Sequence, residues 1–194
     1  MKPSLFKIRL RAFSLVEMLV VMGIMVLLAA VAIPAFTGSM KATALTRGGQ
    51  LVADQFSLAR QEAVSRGCDT QVRLLWLSAD AKGCGGLQLW SPDPANLSVL
   101  RPSGLVTLLP TGIVISENGA LSPLVTKAPF PRTTGSTTYC AFRFRPGGGT
   151  DLGYDSTDNY LSIIAASDAD KTTPPNYSAV QVDPVNGRIR IYRP

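Results

Sequence analysis

The chain has 194 residues, room for one ordinary globular domain and an anchor, with 46% apolar residues, 16% charged residues and a formal charge of +6. It contains no histidine, which excludes an imidazole base and the usual histidine-rich zinc sites. Lys2, Lys7, Arg9 and Arg11 precede the first apolar run, and without residues 1–12 the charge falls to +2. The basic balance is therefore a leader effect, and by itself it gives no reason to expect a nucleic-acid partner.

The first element is an apolar stretch from Leu15 to Ala35, interrupted by one ionisable side chain, Glu17. Its length meets the roughly 20 residues that a membrane span needs. The basic residues before it hold the N-terminus on the cytoplasmic side and send the rest outward. Three readings compete. A secretory signal peptide would use Ala30-Val31-Ala32 as a small-x-small cleavage site, but its apolar core should run only about 7 to 15 residues. A plain single-span anchor leaves Glu17 unexplained, since a carboxylate in a span costs on the order of 2.5–3.5 kcal/mol at the helix centre and calls for a partner.

The third reading accounts for Glu17. The run Arg11-Ala12-Phe13-Ser14-Leu15-Val16-Glu17-Met18-Leu19-Val20-Val21 resembles the prepilin cleavage and methylation motif of type IV pilins and type II secretion pseudopilins. That resemblance implies a cut between Ala12 and Phe13, N-methylation of Phe13, and Glu17 as the fifth residue of the processed chain. Pro34 falls where helices of this family commonly carry a proline. The position before the cut is usually glycine, and here it is Ala12. The resemblance also implies the partners: a prepilin peptidase, other pilin or pseudopilin subunits, an inner-membrane assembly platform and membrane lipid. A charged amine on Phe13 could then meet Glu17 of a neighbouring subunit, because a buried charge is tolerated when paired. The plainer alternative is that Glu17 reaches back to the headgroups.

Beyond Pro34 the helical pattern resumes. Leu45, Val52, Phe56, Ala59 and Ala63 form one apolar stripe, opposite Arg47, Gln50, Asp54, Ser57 and Gln61. Pro34, where a kink is expected, and Gly38, Gly48 and Gly49 are weak points, and Gly67 is a stop. A helix from Phe13 to Arg66 would be about 80 Å long. The expected organisation is a leader over 1–12, a transmembrane or filament-core helix over 13–36, its amphipathic continuation over 37–67, and a β-rich domain over 68–194, placed in the periplasm on a single-pass inner-membrane anchor.

After Gly67 the period becomes extended. Strands are predicted at 71–77, 87–90, 106–109, 113–116, 139–144, 160–166, 178–182 and 188–192, with Asn186-Gly187 as a hairpin turn and a long loop from Ser122 to Thr138. The fold class is α+β, a long helix laid across an antiparallel sheet. The run Phe142-Arg143-Phe144-Arg145-Pro146-Gly147 and the closing hairpin Val180 to Tyr192 are similar to the GspH/FimT-like minor pseudopilins.

No catalytic constellation emerges, and no cofactor or metal site is expected. Gly147-Gly148-Gly149 lacks the Lys-Ser/Thr of a phosphate loop and reads as a turn. Asp151, Asp155, Asp158 and Asn159 offer oxygen ligands but match no EF-hand spacing, so a solvated loop is expected. Cys68, Cys84 and Cys140 suit one disulfide and one thiol in an oxidising compartment, with the pairing open, or three reduced side chains. Arg188 and Arg190 should share the outer face of the last strand, with Ile189 and Ile191 toward the core. Gly187-Arg188-Ile189-Arg190 resembles a basic C-terminal pattern of FimT-like pilins of DNA-uptake pili, which implies DNA binding by Arg188, Arg190 and the nearby Arg193; the simpler reading is an edge strand protected by charge. Trp76 and Trp90 are expected in the core.

Overall fold

The computed structural model describes residues 14–78, 80–133, 137–155 and 157–193. The chain divides into two compact units, Met1–Met40 and Lys41–Pro194. One helix, α1 (Leu15–Arg66), begins in the first and ends in the second. In the first unit its apolar side chains from Leu15 to Ile33 are exposed on all sides. Among the described residues it is the helix long and apolar enough to cross a membrane. Pro34 lies within α1, and its side chain falls outside the described set.

In the second unit the predicted stripe is the buried face: Leu45, Val52, Phe56, Ala59 and Ala63 are all in the core, while Arg47, Gln50, Asp54, Ser57 and Gln61 are exposed. The helix stops at Gly67, whose φ of 63° is a left-handed conformation that an L side chain rarely adopts.

Two antiparallel sheets, rather than the single sheet expected, receive this face. The first is built from β1 (Thr70–Trp76), β2 (Gly86–Asp93), β3 (Asn96–Pro102), β4 (Thr107–Leu108), β6 (Phe130–Thr133) and β7 (Thr138–Phe144), in the order β3-β2-β1-β7-β6 with β4 also on β2. The second contains β5 (Ile113–Ile115), β8 (Tyr160–Ala165), β9 (Tyr177–Val182) and β10 (Ile189–Tyr192), in the order β10-β9-β8-β5. A bridge between Cys84 and Ile115 joins them. Val72, Leu74 and Trp76 of β1, Leu87 and Leu89 of β2 and Cys140, Phe142 and Phe144 of β7 point inward with period two. Phe56 of α1 meets Phe142 edge-on at 5.2 Å and Phe144 at 6.5 Å. Edge-to-face geometry suits the ring quadrupoles.

Against the second sheet the helix contacts are glycines. A Cβ on Gly48 would lie 3.1 Å from Ile113 and 3.2 Å from Ile163, and one on Gly49 would overlap Ser178 Oγ. The pair that reads as weak points in the helix is thus packed tightly against β5, β8 and β9.

The stretch 122–138 is not one loop. It holds a short helix, α2 (Pro123–Thr126), and β6. Proline is favoured at a first helical position, because it lacks only an N–H that would be unpaired there. Leu124 and Val125 are buried, and the Ser122 hydroxyl accepts the Ser162 N–H at 2.9 Å. β3 was also not expected. It pairs with β2 across a tight turn in which the Asp93 carboxylate accepts the Ala95 N–H at 3.1 Å. Its residues are mostly exposed, so burial leaves no alternation to read.

Candidate functional site: the helix start and the outer sheet faces

Ala12 and Phe13, the expected cleavage and methylation positions, lie outside the described residues. Ser14 precedes the first residue of α1 and caps it: its Oγ accepts the Glu17 N–H at 3.1 Å, and its carbonyl accepts the Met18 N–H at 3.2 Å. Ser-x-x-Glu is the spacing of a capping box, in which the N-cap hydroxyl serves the N–H three residues on. Sequence reasoning passed over Ser14, although that spacing was visible in the motif. The cap fixes the helix start three residues before Glu17. It leaves the Glu17 carboxylate exposed in the first turn, where the helix dipole favours negative charge.

The closing hairpin differs from a two-residue Asn-Gly turn. Asp183 and Arg188 flank a four-residue loop, with Asp183 N–H on the Arg188 carbonyl and Gly187 N–H on the Asp183 carbonyl, both 2.8 Å. Only Gly187 of this loop has positive φ. The Asp183 carboxylate accepts the Val185 N–H at 2.9 Å and the Asn186 amide at 2.7 Å, and these bonds, the Val185 one first, hold it below the ordinary carboxyl range. A Cβ at Gly187 would overlap the Gly148 carbonyl, to which Arg60 donates at 3.3 Å. Gly147-Gly148-Gly149 is therefore a turn on which the hairpin loop rests.

Arg188 and Arg190 are exposed, and they line one shallow groove with Tyr154 and Gln181. Among the described residues neither side chain makes a salt bridge. Arg193 does not join them: its guanidinium donates to Thr46 Oγ1 and to the Ala42 carbonyl of α1. Ile189 packs on the core as expected, whereas Ile191 is 41% exposed because β10 is the sheet's edge.

The outer face of the first sheet carries a stacked ladder. The Arg73 guanidinium lies 3.7 Å from the Trp90 ring centre and 4.3 Å from that of Tyr139, and it donates to Gln71 at 2.8 Å. Burial lowers the Arg73 pKa from its ordinary value, and the nearby Tyr139 oxygen acts the other way. Trp76 is in the core, with Nε1 donating to Glu117 at 3.0 Å. Trp90 is instead half-buried on this outer face.

The acidic residues after β7 serve the loop itself. Asp151 accepts the Arg143 N–H at 2.7 Å, Asp155 binds the Thr157 amide and hydroxyl, Lys127 pairs with Asp158 at 2.6 Å, and Asn159 donates to two carbonyls. Among the described residues no group of three metal-ligating side chains comes together. Cys68 is half-buried after α1, Cys140 sits in the middle of β7, and Cys84 is buried at the bridge between the sheets.

No protein-family model and no curated protein matches the chain. Among solved structures it is similar to the minor pseudopilin EpsH from the Type 2 Secretion System of Vibrio cholerae. The identity is 16%, the match covers 77% of this chain and 97% of that one, and the TM-score is 0.47.

Proposed function

We propose that this chain is a non-catalytic, membrane-anchored subunit of a secretion pseudopilus or type IV pilus. It is cut between Ala12 and Phe13 by a prepilin peptidase, methylated on Phe13 and held in the inner membrane with its β domain in the periplasm. An assembly platform then brings it into contact with other subunits. The observation that carries the reading is α1: exposed apolar side chains from Leu15 to Ile33, interrupted by the carboxylate of Glu17 one turn after a capped start. A carboxylate in a span is costly without a partner, and the cap at the helix start leaves this one exposed. Between helices, the Phe13 amine of a neighbour satisfies it and fixes the register, while apolar packing supplies most of the contact. No cofactor or metal enters this role.

Intact-mass and N-terminal analysis of the protein from native membranes tests it. A chain beginning at Phe13 and heavier by one methyl group is expected. A chain beginning at Ile33 or Phe36 would mean signal-peptide removal and would overturn the filament reading.

A second reading is supported by the two exposed arginines of the closing hairpin: a subunit that holds nucleic-acid phosphates through Arg188 and Arg190. Such contacts position without reading sequence and weaken steeply with salt. Salt-sensitive binding of duplex DNA by the full chain, lost in the Arg188→Gln/Arg190→Gln variant, is its expected signature. Binding that survives that variant would overturn it.

A further inference from the structure

The register of the second sheet builds a cleft on its outer face. Ser162, Ala179 and Tyr192 lie in one row across β8, β9 and β10, and Tyr160, Gln181 and Arg190 form the next. Tyr177, two residues before Ala179, shares its face. The small side chains of Ala179 and Ser162 therefore form a floor with Tyr160, Tyr177 and Tyr192 around it. Ala120, Leu121, Thr173, Pro174 and Arg193 complete the lining of an open cleft of roughly 550 Å3. That is within the range of about 300–1,000 Å3 for small-molecule sites. Tyr160 is fixed by its hydroxyl, which donates to the Ala120 carbonyl at 3.0 Å. Gln181 lines both this cleft and the groove of Arg188 and Arg190, so the two adjoin at that side chain.

We infer that this cleft is a binding site for an acidic saccharide, with a pyranose ring over Ala179 and its carboxylate toward Arg190. The chemistry follows from the lining. Tyrosine rings present flat apolar faces to the C–H faces of a sugar and keep a polar tip in water. Gln181 and Thr173 bring amide and hydroxyl groups to the rim. The Arg190 guanidinium shares its groove with the Asp183 carboxylate but makes no salt bridge among the described residues, and it can bind a carboxylate through two parallel hydrogen bonds. A single-stranded nucleic acid would need open aromatic platforms flanked by a basic track. Here the rings wall a pit; Arg193 at its edge donates to Thr46 and Ala42 of α1, and Arg190 lies in the adjoining groove. The inference does not rest on the filament reading.

The test is calorimetric titration of the full chain in detergent micelles with trigalacturonate, maltotriose and a single-stranded oligothymidylate. Saturable binding of trigalacturonate, tighter than maltotriose, is expected. Ala179→Leu fills the pit from the solvent side and should weaken it by about tenfold or more with an unchanged melting temperature. Arg190→Gln should weaken trigalacturonate and leave maltotriose unaffected. Absence of saturable trigalacturonate binding, or binding indifferent to Ala179→Leu, would overturn the inference. So would oligothymidylate binding that Ala179→Leu abolishes.

Discussion

Gly49→Ala measures how tightly α1 is seated on β9. In a free helix this change stabilises by about 0.8–1.0 kcal/mol, because alanine loses less backbone freedom than glycine. At Gly49 the added Cβ would overlap Ser178 Oγ, lie 3.2 Å from Ser178 Cβ and 3.8 Å from Ile191 Cγ2. Ser178 is itself 2% exposed, so its hydroxyl has little room to turn away. Overpacking of a filled interior costs about 1–3 kcal/mol. The two effects leave a net loss of roughly 0–2 kcal/mol. Gly38→Ala is the control: a Cβ there has nothing within 4 Å, so it should keep the propensity gain. The second control is Gly49→Ala combined with Ser178→Ala, which removes the overlapping oxygen and should recover part of the loss as a coupling energy of about 0.5–3 kcal/mol. Urea unfolding of the full chain in detergent, followed by tryptophan fluorescence, gives these values for the wild type, the three variants and the Ser178→Ala single variant that completes the cycle. If Gly49→Ala stabilises as much as Gly38→Ala, the helix does not press on β9 and the packing argument fails.

Three further outcomes are expected. Glu17→Ala should insert into membranes normally yet fail to enter filaments; normal incorporation, scored by crosslinking in sheared filament fractions, would remove the case for a register-setting carboxylate. Arg73→Ala should cost about 1–2 kcal/mol and redden Trp90 emission, since it empties the space between two rings; an unchanged spectrum would show that the stack is not formed. The third concerns pH. Burial raises the Asp151 pKa, so in the window between its ordinary and its folded value the native state holds a proton that the unfolded chain has released. Asp151 therefore adds stability as pH falls through that raised value, and this part of the slope should vanish in Asp151→Asn. Asp155 and Asp183 are lowered by their hydrogen bonds, and act oppositely: their contribution is present above the ordinary carboxyl value and lost as pH falls below it through their lowered values. Urea midpoints measured from pH 7 to pH 3 separate the two trends, and identical slopes for the wild type and Asp151→Asn would contradict the Asp151 assignment.

Much of this fold was legible in the chain because the signals are local. The apolar run with its isolated Glu17, the stripe from Leu45 to Ala63, the stop at Gly67 and the alternation in β1, β7 and β9 depend only on the helical and extended periods. β3 escaped because an exposed edge strand has no buried side to alternate with. The helix and strand inside 122–138 were hidden by their prolines, one of which starts α2. Trp90 read as core because a ring in a strand carries no mark of which face will be covered, and β1 and β7 turned it toward Arg73 instead of Phe56.

What the amino-acid order determined by itself was the long helix, most of the buried strands and the head of the helix, where cap, carboxylate and apolar run are neighbours in sequence. Only the tertiary structure decided which faces meet. It made Gly48 and Gly49 a seat for α1 instead of a break, because their missing side chains count only once β5, β8 and β9 lie against them. It separated Arg193 from Arg188 and Arg190, because the end of β10 runs alongside α1 and the helix offers an oxygen there. It also gathered Tyr160, Tyr177 and Tyr192 around Ala179, a juxtaposition that depends on strand register, which long-range pairing sets and no local pattern encodes.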